Sequence, residues 1–95
     1  MIFKEIIIGR NEKTHKIEAR FPDGNIKCLG ITDPTVSRKH LKIEVKEGKI
    51  ILIDLGSRNG TLINGIKIAS NMPYELNGEA KIRLGQTTEL VVKPI

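Results

Sequence analysis

The sequence predicts an all-β sandwich of about 10–11 strands, with residues 1–95 forming a single domain. Three observations lead there. Short apolar runs alternate with polar residues at period two. The apolar residues are mostly β-branched: 16 Ile, 8 Leu and 4 Val stand against 2 Phe, 1 Tyr and no Trp. Turn residues separate the runs, and no segment keeps a 3.6-residue period.

The strands are expected in this order. Phe3 to Ile8 opens the chain, and Lys16 to Phe21 alternates cleanly. Pro22-Asp23-Gly24 turns into Asn25 to Ile31. Leu41 to Lys46 and Lys49 to Leu55 form a hairpin about Glu47-Gly48. Thr61 to Ile63, Ile66 to Ile68, Tyr74 to Leu76, Ala80 to Leu84 and Glu89 to Val92 follow. Asn-Gly occurs at Asn59-Gly60, Asn64-Gly65 and Asn77-Gly78, each able to supply the positive φ of a tight hairpin turn.

Composition narrows the function. A chain this short holds one core and little room for a deep catalytic cavity. No apolar run approaches the roughly 18–20 residues of a membrane-spanning helix. The N-terminus lacks the pattern of a secretory signal, so a soluble, cytoplasmic chain is expected; a monomer is expected as well. Cys28 is the only cysteine, which excludes an intrachain disulfide and a zinc thiolate pair; it reads as a small core residue. No cofactor or metal is expected. The net charge of +5 suits an anionic partner.

Two loops hold the chemistry. Thr32-Asp33-Pro34-Thr35-Val36-Ser37-Arg38-Lys39-His40 combines hydroxyls, cations and an imidazole. Asp54-Leu55-Gly56-Ser57-Arg58-Asn59-Gly60-Thr61 presents hydroxyls, a guanidinium and an amide. The hairpin between them can return the chain so that both lie at one end of the sandwich. Together they would offer charge-assisted donors and a bidentate guanidinium, an inventory suited to phosphate.

At these residues the sequence resembles the forkhead-associated (FHA) domain family, whose sandwich is SMAD-like. The resemblance rests on Ser37-Arg38-Lys39-His40, then Ser57-Arg58-Asn59-Gly60-Thr61 and Asn64-Gly65, then Ile82-Arg83-Leu84-Gly85. It implies a phosphopeptide-binding module that reads phosphothreonine in extended segments of partner proteins. Ser37 would donate its hydroxyl to the phosphate, with Arg38 adding charge beside it. Ser57 and Arg58 would lie in a second phosphate-contacting loop, and Asn59 would hold the peptide backbone. His40, Gly60 and Asn64 would support the site structurally. A small apolar pocket would take the threonine methyl group, worth about 1 kcal/mol.

The family's main phosphate anchor is an Arg in a Gly-Arg pair ending an early strand, and three placements compete for it. Ala19-Arg20 is the preferred placement: it makes Arg20 the phosphate-binding anchor, within Arg20-Phe21-Pro22-Asp23-Gly24-Asn25-Ile26, but loses the Gly. Ile8-Gly9-Arg10 is the literal pair, farther from Ser37. Leu29-Gly30-Ile31 fits the strand count but replaces the Arg with Ile31 and leaves no anchor. The third would make the domain degenerate: its interactions would be phosphate-independent, or it would bind phosphate weakly through Ser37, Arg38 and Arg58.

Plainer readings stand beside these. Ser37 alone could be a turn hydroxyl. Lys39 and Arg58 could extend into water, and Asn59-Gly60 could be only a turn. Asp54 reads as a tether for a loop. An enzyme is not expected: Ser37 and His40 lack an orienting acid, and there is no phosphate-binding Walker loop. A basic surface for nucleic acid is the weaker alternative, because Phe3, Phe21 and Tyr74 make a poor stacking platform.

Overall fold

A computed structural model describes residues 3–93. They form ten strands and, among the described residues, no helix. The strands are β1 (Phe3–Arg10), β2 (Lys16–Arg20), β3 (Ile26–Thr32), β4 (Leu41–Lys46), β5 (Lys49–Asp54), β6 (Thr61–Ile63), β7 (Ile66–Lys67), β8 (Tyr74–Glu75), β9 (Ala80–Leu84) and β10 (Thr88–Val92).

They pair antiparallel into two sheets, of order β3-β2-β1-β4-β5-β8 and β10-β9-β6-β7. Period-two alternation places every second residue inward. The larger sheet buries Ile8, Ile17, Ala19, Leu41 and Leu52, and the smaller buries Ile63, Ala80, Ile82 and Leu84. Val36 closes one end of this aliphatic core, and Phe21, Leu29 and Ile31 pack against it from the side.

Two expectations are corrected. Cys28 is exposed, because β3 is the edge of the larger sheet and turns Leu29 and Ile31, not Cys28, toward the core. Of the three Asn-Gly pairs, only Asn64-Gly65 closes a two-residue hairpin, with φ of 49° and 84°. Asn59-Gly60 and Asn77-Gly78 instead join strands of different sheets, β5 to β6 and β8 to β9.

Because the strands run antiparallel, four loops collect at one end. These are residues 11–15 after β1, 33–40 before β4, 55–60 after β5, and 85–87 after β9. Hydrogen bonds tie them together. The Gln86 N–H donates to Thr35 Oγ1 at 2.8 Å, and the Leu55 N–H donates to the His40 carbonyl at 3.0 Å.

Candidate functional site

The residues around Ser37 are set by contact with the end of β1. The Arg10 N–H donates to the Ser37 carbonyl at 3.1 Å, and the His40 N–H donates to the Ile8 carbonyl at 3.0 Å. Gly9 lies between them, buried, and a Cβ there would overlap the Arg38 carbonyl. Only glycine allows the two backbones to approach this closely.

The Ser37 hydroxyl is oriented from the opposite loop. Its oxygen accepts the Arg58 N–H at 3.0 Å, which leaves the hydroxyl proton available to an incoming acceptor. The Asn59 amide donates to the Thr35 carbonyl at 2.7 Å and locks the same two loops a second time. The two loops read from the sequence as chemically rich therefore meet.

Beside this junction is an open cleft of about 660 Å³, lined by Arg10, Glu12, Arg20, Ser37, Arg38 and Lys39. Four cations face one acid. Arg10 anchors itself through Nε to the Val36 carbonyl at 2.9 Å, and no hydrogen bond among the described residues occupies its two terminal nitrogens. Arg20 differs. Its Nε donates to Glu18, its Nη1 to the Arg38 carbonyl and its Nη2 to the Arg10 carbonyl, at 2.9–3.1 Å. Arg20 thus cross-braces the cleft wall, while Arg10 presents free donors. Gly30-Ile31 lies on the edge strand, with Ile31 against the core and away from the cleft. Arg38 meets Glu12 at 3.4 Å, both side chains largely exposed.

A family model for the FHA domain matches residues 6–85. The chain belongs to the FHA domain family. It is 38% identical over 64 residues to an FHA domain-containing protein of Arabidopsis thaliana, covering 67% of this chain and 17% of that protein. It is 31% identical over 87 residues to the chloroplastic zeaxanthin epoxidase of Prunus armeniaca, covering 84% of this chain and 13% of that protein. The chain therefore spans less than a fifth of either relative. Among solved structures, the FHA domain of the CT664 protein from Chlamydia trachomatis superposes with a TM-score of 0.56 at 21% identity, covering 97% of this chain and 98% of that one. An FHA structure from a study of phosphothreonine-dependent interactions superposes with a TM-score of 0.53 at 22% identity, covering 99% and 100%.

Beneath the FHA loops lie three buried polar groups. The His40 ring is fully buried; its Nε2–H donates to the Gly60 carbonyl at 2.8 Å, and its Nδ1 accepts the Ser37 N–H at 3.0 Å. A neutral ring satisfies both bonds, and burial depresses its pKa below the ordinary value. Gly60, at φ 84°, takes a left-handed conformation that brings its carbonyl to this ring. Asp54 accepts the N–H groups of Gly56 and Ser57 and the hydroxyls of Ser57, Thr61 and Ser70. Burial alone would raise this carboxyl, but the three hydroxyls outweigh it and hold it below its ordinary value. Asp33 is also buried, and burial is again outweighed, here by the hydroxyls of Thr35, Thr88 and Thr87.

Two residues stand differently from their sequence reading. The Ser57 hydroxyl turns inward, donating to Asp54 and accepting the Gly60 N–H at 3.0 Å, so it braces the loop rather than facing the cleft. Asn64 bonds Lys81 of β9 through its side chain and backbone and makes no hydrogen bond to the four loops among the described residues. Glu12 and the Asp33–Thr35–Thr87–Thr88 cluster were not singled out by the sequence. Asp33-Pro34-Thr35, an Asp two residues before a Thr, carried the signal of a side-chain-closed turn.

The buried groups set the pH response. The unfolded His40 takes up a proton near 6.5, but the folded ring does so only at lower pH. The unfolded state then binds more protons, so stability falls as pH drops below about 6.5. Asp33 and Asp54 extend the loss below their ordinary value of 3.8. The urea midpoint should be level from about pH 8 to 7 and decline through about pH 6 to 5. A His40→Gln variant, although weaker overall, should lose that first decline; an identical slope in both proteins would remove His40 as its cause.

Proposed function

We propose that this FHA domain binds phosphothreonine in an extended segment of a partner protein, at the cleft between Arg10 and Ser37. The observation that carries the reading is the convergence of the oriented Ser37 hydroxyl with the free terminal nitrogens of Arg10 in a cleft lined by four cations. Arg10 would grip the phosphate with two parallel donors, and Ser37 would add a hydroxyl donor. Arg38 and Lys39 would supply charge at the cleft mouth. Arg20 would hold the wall in shape, and Arg58 and Asn59 would lie along the peptide. The action is binding without chemistry.

Titration calorimetry with matched phosphothreonine, phosphoserine and unphosphorylated peptides tests this. Wild type should bind only the phosphorylated forms, phosphothreonine best. Charge-assisted hydrogen bonds contribute about 1.5–3 kcal/mol each, so Ser37→Ala and Arg10→Ala should each weaken binding about tenfold or more. Arg20→Ala should also weaken it, together with a lower melting temperature because three braces are lost. Equal affinity of wild type and both single variants for every peptide would dismiss the reading.

A further inference from the structure

The register of the four-stranded sheet defines its outward face. Leu62 stands opposite Lys67 on one side and Arg83 on the other, and Arg83 stands opposite Glu89. One row along, Lys81 stands opposite Val91. Opposed residues share a face, and the intervening Ile63, Ile82 and Leu84 are buried, so this set looks outward. Its floor is apolar, with Leu62 half-buried and Val91 53% exposed. Around it, Lys67, Lys81 and Arg83 are exposed, and among the described residues none of them forms a salt bridge. A shallow groove of about 350 Å³ runs here between Leu62, Asn64, Lys81, Arg83 and Glu89.

This face is continuous with the phosphate-side loops. The Lys67 side chain folds back over Gly60: a Cβ on that glycine would meet Lys67 Cε at 2.8 Å and Nζ at 3.4 Å. The ammonium therefore stands next to Asn59-Gly60. Farther along, Asn64 pairs with Lys81. At about 3.3 Å per strand residue, the path from Gly60 to the Lys81 row is about 13 Å, which an extended peptide covers in about four residues.

We propose that the outer face of the four-stranded sheet, through Lys67, Lys81 and Arg83, holds an acidic stretch of the same phosphorylated partner, more than four residues from its phosphothreonine, since the four-residue path is counted from Gly60 and the phosphate lies beyond it in the cleft. The inference rests on the phosphothreonine reading above. Three unpaired cations against one acid call for a negative occupant, and the junction at Lys67 makes the bound segment itself the nearest source. Leu62 and Val91 leave room for an apolar side chain between the acids. A nucleic-acid strand fits less well, because this face presents no aromatic ring for bases to stack on among the described residues.

The test uses four phosphothreonine peptides: a short one, one extended by Asp and Glu residues on its N-terminal side, one so extended on its C-terminal side, and one extended by Ser and Gln. Each is titrated against wild type and against a K81E/R83E variant, whose changes lie on an exposed face and leave the core intact. One acidic extension, on one side only, should improve wild-type affinity about five- to tenfold, in keeping with exposed ion pairs being weak one by one. K81E/R83E should lose that gain and bind the short peptide as wild type does. Raising the salt should shrink the gain. Equal binding of acidic and neutral extensions, equal gains from both sides, or a gain retained by K81E/R83E overturns the inference while short-peptide binding leaves the parent reading standing. Failure of the short peptide to bind overturns the parent reading and this inference with it. A single-stranded oligonucleotide that binds in a K81E/R83E-sensitive way, with no gain from either acidic extension, assigns the face to nucleic acid and overturns it too.

Discussion

Asp54→Ala is expected to lower the unfolding free energy by about 3–5 kcal/mol, a large part of the roughly 5–15 kcal/mol available to a domain of this kind. The carboxylate accepts from two backbone N–H groups and three hydroxyls. Thr61 is fully buried, so its hydroxyl has no water to turn to once the acceptor is gone. The damage should reach the cleft. Asp54 shapes residues 55–60, and that loop supplies the Arg58 N–H that orients Ser37. Urea denaturation followed by circular dichroism measures the stability loss, and Asp54→Asn should fall between wild type and Ala. A loss under about 1 kcal/mol for Asp54→Ala would mean that the loop is held by other contacts.

Gly9→Ala is expected to cost both stability and binding although it replaces none of the side chains that line the cleft. The added methyl meets the Arg38 carbonyl, which is backbone and cannot swing aside. Either β1 or residues 37–38 must move, at about 1–3 kcal/mol or more. Arg10 and Ser37 sit on opposite sides of this contact, joined by the Arg10 N–H to Ser37 carbonyl bond. Their separation should open, and phosphopeptide affinity should fall about tenfold or more, because bidentate phosphate contacts tolerate little displacement. Thermal melting and calorimetry on the same preparation measure both effects. A Gly9→Ala protein that melts and binds as wild type does would show that the close approach is dispensable.

The candidate site was legible in part. Ser37, Arg38, Arg58 and Asn59 declared themselves as polar loop residues flanking one hairpin, and the structure brings their loops together through the Arg58–Ser37 and Asn59–Thr35 bonds. The different settings of the Arg10 and Arg20 side chains were not legible. Distance along the chain does not reveal that β1, not β2, lies beside β4. Nor does it reveal that Arg20 spends its donors on the Glu18 carboxylate and two backbone carbonyls. The inward turn of the Ser57 hydroxyl was hidden for a related reason: whether a loop hydroxyl faces solvent or a buried carboxylate depends on how the loop folds over Asp54.

The sequence by itself determined the ten strands, the aliphatic core and the β4–β5 hairpin, because alternation and turn chemistry are local and each strand carries its own record of them. Only the tertiary structure decided that β3 is an edge and leaves Cys28 exposed, that Gly9 lies against Arg38, and that a row of cations on the smaller sheet begins at Gly60. Those facts depend on which strands become neighbours, and strand pairing is set by packing between segments far apart in the chain, which no local pattern encodes.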